Sequence, residues 1–147
     1  MQVWTSAALP LLTVPEDITA EIARYVELQT NKAEVFGAVG CGLCEVGAIP
    51  RGLQCMERSL SIYVMLGDTL GECKTLTRIG QTYQRLDRPV VAICRFMDAL
   101  TLGRQAGDRV QEVTILQLLA QAYEQAEMPY SAADATAQAE LLSHRCQ

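Results

Sequence analysis

Aromatic side chains make up only 5% of the 147 residues. A β-sandwich core draws on many aromatic and β-branched side chains, so almost no sheet is expected. Basic residues are also few: 12 Lys and Arg stand against 17 Asp and Glu, for a net charge of -5. Non-specific affinity for a phosphate backbone rests on the opposite excess, and no nucleic-acid partner is expected. No run approaches the ~20 apolar residues that span a bilayer. The apolar stretch Ala7 to Val14 has no Lys or Arg before it, is interrupted by Pro10 and is closed by Pro15, a poor match to a secretion signal. No membrane partner is expected, and the chain reads as soluble and cytoplasmic.

What is present favours packed helices. Half of the residues are hydrophobic, and Ala, Leu, Gln and Glu are plentiful. The length suits one domain with a sizeable core. Six cysteines, Cys41, Cys44, Cys55, Cys73, Cys94 and Cys146, fall mostly within apolar helical patterns. Free Cys behaves as a small buried hydrophobe, and without a secretion signal the reduced state is the expectation.

An internal repeat organises most of the chain. Leu66-Gly67-Asp68 and Ala106-Gly107-Asp108 stand 40 residues apart, each ending one amphipathic segment and beginning another. Without a gap, Glu72 matches Glu112, Leu76 Leu116, Ile79 Leu119, Gly80 Ala120, Tyr83 Tyr123, Pro89 Pro129, Ala92 Ala132 and Ala99 Ala139. A weaker echo one period earlier includes Phe36, Val39, Gly40, Leu43, Leu53, Met56 and Leu60. Such a period signals stacked supersecondary units that cannot bury their apolar faces alone. Leu76, Ile79 and Tyr83 form one helical face and Val90, Ile93, Met97 and Leu100 another, giving two helices per repeat. Asp68 and Asp108 are N-cap candidates, Gly67 and Gly107 suit a left-handed helix end, and Pro89 and Pro129 fall in a first helical turn. Ahead of the repeats, Pro15-Glu16-Asp17 opens a further predicted helix, with Ile18, Ile22, Tyr25, Val26 and Leu28 expected to cover one end of the stack.

These residues resemble the tetratricopeptide repeat (TPR). Leu76, Ile79, Gly80 and Tyr83, then Ala92, Phe96 and Ala99, fall at its consensus spacing. The third repeat keeps Leu116, Leu119, Ala120, Tyr123, Ala132 and Ala139 but has Thr136 where a large apolar residue is usual. The first has Gly52 and Ser59 at small Ala positions and Leu43 for the tyrosine. The long period is similar to the branch that includes kinesin light chains and rapsyn-like scaffolds. The resemblance covers roughly residues 30 to 146. It implies an all-α stack of three helix-turn-helix repeats, an α-solenoid, over about 30–66, 67–106 and 107–147, preceded by one N-terminal capping helix within 1–29. It also implies a non-enzymatic module that binds a protein or peptide in a concave groove.

The residues give little support to chemistry. Cys41-Gly42-Leu43-Cys44 invites a zinc or redox reading, but no second cysteine pair exists and the one histidine, His144, is far away in sequence. Thioredoxin-type chemistry needs a βαβ setting. There is no nucleophile elbow and no phosphate loop; Gly37, Gly40, Gly42 and Gly47 are expected within the first helix of the first repeat and do not precede a helix as a cradle must. No catalytic residue, metal or cofactor is expected. Gly40 is explained by helix packing, whereas Gly37 and Gly42 are not, so this helix is expected to be the least stable of the repeats.

The surface feature with most meaning is a polar stripe: Lys74, Arg78, Gln81 and Arg85 recur at i, i+4, i+7 and i+11, opposite Leu76, Ile79 and Tyr83. With Gln117, Gln121 and Gln125 they form the expected partner-binding groove, suited to an acidic segment. The resemblance adds that Lys74 and Arg78 have the spacing of the family's carboxylate clamp, although Gly37 and Cys41 replace the Lys and Asn of the preceding repeat. An adaptor or assembly factor is the leading expectation, with an oligomerisation module or a piece of a longer scaffold as the alternative and a redox regulator using Cys41 and Cys44 as an outsider. On the last helix, Ala133, Ala137 and Leu141 project beside the core positions, and a homodimer through this helix is expected.

Overall fold

The computed structural model describes residues 15–145, and within them every regular element is a helix: α1 (Glu16–Glu45), α2 (Ile49–Leu66), α3 (Thr69–Arg85), α4 (Pro89–Ala106), α5 (Arg109–Gln125) and α6 (Pro129–Arg145). Consecutive helices pack as the hairpins α1/α2, α3/α4 and α5/α6, which stack in chain order through α2 on α3 and α4 on α5. The first helices α1, α3 and α5 also touch one another sparsely, whereas the second helices do not, so the stack bends toward its first helices and leaves a groove along them.

The repeat punctuation acts as its chemistry requires. Asp68 Oδ1 accepts from the Gly71 amide at 2.9 Å and Asp108 Oδ1 from the Gln111 amide at 3.0 Å, each satisfying a donor that the first helical turn leaves unpaired. Gly67 and Gly107 end α2 and α4 with φ of 67° and 69°, where a Cβ is strained. Pro89 and Pro129 open α4 and α6, where the missing N–H costs nothing.

Within each hairpin a small residue on the first helix admits a larger one from the second. A Cβ on Gly40 would lie 2.7 Å from Met56 Cγ and 2.8 Å from the Gly52 carbonyl oxygen; one on Gly80 would lie 2.6 Å from the Phe96 ring. Gly80 therefore receives Phe96, a closer partner than the Ala92 expected opposite it. One period later Ala120 and Thr136 line a common hollow. The departure at Thr136 is thus matched: where the second-helix residue shrinks, the first-helix residue grows.

Three readings of the sequence are corrected. The separate N-terminal capping helix and the first helix of the first repeat are one continuous 30-residue helix, α1. No Gly or Pro interrupts residues 16 to 36, and α2, with 18 residues, reaches only about 27 Å along a helix of about 45 Å. Ile18, Ile22, Tyr25, Val26 and Leu28 consequently project beyond α2, exposed, and cover no end of the stack. In α4 the buried face is Ala92, Phe96, Ala99, Leu100 and Gly103, whereas Val90 and Met97 face solvent. The stretch Ala7 to Val14 and Cys146 lie outside the described residues.

Gly37 also acquires a reason. It is buried against Ser59 of α2 and Arg78 of α3. Ser59 donates its hydroxyl to the Ala33 carbonyl at 2.7 Å, tying α2 to α1 inside the core. Gly47, read as part of this helix, instead lies past its end with φ of 86°, and of the three glycines within α1 only Gly42 has open space where a Cβ would stand. Gly42→Ala is therefore expected to stabilise the domain by up to about 1 kcal/mol, the helix-propensity difference, read as a higher urea midpoint; a lower midpoint would show that α1 needs backbone freedom there.

Candidate functional site

The groove is built from equivalent positions on α1, α3 and α5. Its upper part, about 490 Å³, lies between Thr30, Glu34 and Gly37 on one wall and Lys74, Thr75 and Arg78 on the other, with Ser59 and Tyr63 of α2 at its floor. Its lower part, about 660 Å³, runs from Cys41 and Glu45 past Gln81 and Arg85 to Leu118, Gln121 and Gln125. Arg78 borders both and joins them.

Local sequence explains why α3 can present charge on one side while its other sides are buried. Thr75, Thr77 and Thr82 are buried, and each donates its hydroxyl to the carbonyl four residues back, at 2.9, 2.8 and 3.0 Å. That internal bonding satisfies the oxygens without any groove side chain. Lys74, Arg78, Gln81 and Arg85 are left exposed. Among the described residues the ion pairs are Arg95 with Glu57 and Arg104 with Glu112, neither in the groove. Lys74, Arg78 and Arg85 thus face the groove with no carboxylate of the described residues within salt-bridge distance. Glu34 and Glu45 give the α1 wall the opposite sign.

Gly37 sets the position of Arg78. A Cβ there would lie 3.3 Å from one guanidinium nitrogen, so the bare helix surface of α1 lets Arg78 lie across it. Tyr63 packs its ring on Gly71, and its hydroxyl pKa is raised, by burial first and then by the nearby Glu34 carboxylate.

The remaining expected groove residues divide. Gln121 lines the lower cavity and, with Gln117, a further hollow of about 350 Å³ between α5 and α6. Gln125 is engaged: its Nε2 donates to Asp87 Oδ1 at 3.0 Å and to the Gln84 carbonyl at 3.3 Å, holding the end of α5 to the α3–α4 turn. The carboxylates Glu34 and Glu45 were missed from the sequence, although one signal finds them. Subtracting the 40-residue period from Lys74 and Arg85 lands on Glu34 and Glu45.

Two of the cysteines pack in the core. Cys44 is buried and its thiol pKa is raised, chiefly by burial; Cys73 is likewise raised by burial and donates to the Ala99 carbonyl at 3.2 Å. Both are protonated packing groups near neutral pH. Among the described residues no group of three or more His, Cys, Asp and Glu side chains is arranged to hold a metal ion. No described helix is long and apolar enough to cross a membrane. Ala133, Ala137 and Leu141 are exposed along α6, away from the cation stripe.

No protein-family model matches the chain, and no curated protein matches it.

Proposed function

We propose that this chain is a non-enzymatic, cytoplasmic protein-binding module of the tetratricopeptide-repeat type, an adaptor or assembly factor whose groove takes an acidic peptide or helix of a partner protein. The observation that carries this reading is the row of Lys74, Arg78 and Arg85 along one continuous groove with no carboxylate partner among the described residues. Cations left unpaired on a concave surface favour a ligand that brings its own carboxylates. Gln81 and Gln121 supply adaptable hydrogen bonds, and Leu118 an apolar contact at the lower end. Five free cysteines among the described residues agree with a reducing compartment. A structural role, as an oligomerisation module or part of a larger scaffold, is favoured by a different observation, the exposed apolar face of α1.

Affinity purification run in parallel with the wild type and the Lys74→Glu/Arg78→Glu/Arg85→Glu variant tests the groove reading. Partners lost only with the variant are groove ligands. A synthetic acidic peptide taken from such a partner is expected to bind the variant at least about tenfold more weakly, a change of about 1.4 kcal/mol. Its affinity for the wild type should fall between ~0.05 and ~0.5 M salt. Capture insensitive both to salt and to the charge reversal would remove the cations from the interaction.

A further inference from the structure

The outer face of α1, opposite the buried line of Ala33, Gly37, Gly40 and Cys44, carries Leu28, Val35 and Val39, and the C-cap residue Val46 continues the line past the helix end. The repeat period shows what this face lacks. Position 35 recurs as Thr75 and Ile115, which are 3% and 0% exposed, and position 39 as Ile79 and Leu119, at 0% and 1%. Ile79 is covered by Met56 and Leu60 of α2, and Ile115 lies against Gly103 of α4. On α1 the equivalent Val35 is 61% exposed and Val39 47%, with no helix before α1 among the described residues to cover them.

We propose that a second copy of this chain covers this face, with α1 packed antiparallel on α1 about a two-fold axis level with residue 37. An isologous contact must present the same pattern read from either end. The stripe does so: from Leu28 to Val35, Val39 and Val46 the steps are 7, 4 and 7 residues. The two-fold sets Val35 level with the second copy's Val39, and Leu28 level with its Val46. Lys32, the cation beside the stripe, falls level with the second copy's Gly42, which has no side chain to obstruct it. A hollow of about 440 Å³ between Leu28, Lys32, Val35 and Phe36 offers the concave surface into which apolar side chains can pack.

Head-to-tail stacking of α6 on the next copy's α1 fits less well. Where α4 presents Phe96 and Leu100, α6 has Thr136 and Glu140, so it would bring a carboxylate onto valines, at a desolvation cost, and a small side chain in place of a ring. It would also propagate from copy to copy into an open filament, whereas the two-fold contact closes at two copies. A single helix-on-helix contact falls below the ~800 Å² per partner of a standard interface, which sets the expected association in the micromolar range.

Sedimentation equilibrium of the intact chain tests the proposal. The wild type is expected to be mostly dimer at ~100 µM and mostly monomer at ~1 µM. Val35→Glu, on an exposed position, should be monomeric at ~100 µM with an unchanged circular dichroism spectrum, a loss of at least about tenfold in affinity. Val35→Glu/Val39→Lys should recover the dimer, because the antiparallel register sets each introduced carboxylate against an introduced ammonium of the other copy. Ala137→Glu, on α6, should leave the dimer intact. A wild type that is monomeric at ~100 µM overturns the proposal, as does a dimer dissolved by Ala137→Glu but not by Val35→Glu, or a double variant that stays monomeric.

Discussion

Gly52→Ala is expected to destabilise the domain by about 3 kcal/mol, near the upper end of the usual cost of overpacking. The new Cβ would lie 2.7 Å from the Gly40 carbonyl oxygen and 3.0 Å from the Cys44 amide nitrogen, and it would also meet Cys44 Sγ. Two of those three atoms belong to the backbone of α1, so no rotamer change relieves the contact and the helices must separate. Separation in turn pulls Met56 out of the space over Gly40 and lengthens the Ser59 to Ala33 hydrogen bond. Urea denaturation followed by circular dichroism measures the loss, with Gly103→Ala as the matched comparison. That Cβ would meet nothing closer than Cys73 Sγ at 3.6 Å, ordinary contact distance. Equal midpoints for the two variants would contradict the close crossing of α1 and α2.

Phe96→Ala is expected to cost about 4 kcal/mol, the middle of the range for truncating a buried phenylalanine. The ring is fully buried and packs on Gly80 of its own hairpin. Phe96 belongs to the largest core cluster, which runs from Cys73 through Leu100 to Leu116 and Leu119 and so joins the second hairpin to the third. With a total stability of about 5–15 kcal/mol for a domain, the loss should be visible as partial unfolding at moderate temperature. A change below about 1 kcal/mol would mean that the hairpins stand independently of this ring.

The repeat was readable because its carriers are residues with single physical roles. Asp68 and Asp108 cap, Gly67 and Gly107 take positive φ, and Pro89 and Pro129 open helices; each stands one period from its match. Hydrophobicity read locally misled in two places. Val90 and Met97 are more apolar than Ala92 and Ala99, yet close helix approach selects the small side chains for the core and leaves the larger ones exposed. The unbroken α1 was hidden because the TPR resemblance supplied a helix start near residue 30, where Thr30 and Asn31 are cap-type residues but no Gly or Pro breaks the helix. For the groove, Lys74, Arg78, Gln81 and Arg85 were legible from helical spacing alone. The opposite wall was missed because helical spacing on α1 alone does not say which of its residues face α3; only the repeat period carries Lys74 and Arg85 back to Glu34 and Glu45.

The hydrogen bonds from Gln125 to Asp87 and Gln84 bear on the mechanics of the stack. A row of hairpins behaves as a spring, and a bridge from one hairpin's turn to the next hairpin's first helix stiffens the joint it crosses. Asp87 sits at φ of 57°, an unfavourable angle for a side-chain-bearing residue, in the turn so clamped. At the joint one period earlier the corresponding positions are Arg85 and Gly47, and no bridge spans them among the described residues. The joint between the second and third hairpins is therefore expected to be the stiffer of the two, which leaves the unbridged joint, and with it the groove between Glu34 and Lys74, as the place where the stack can adjust its width.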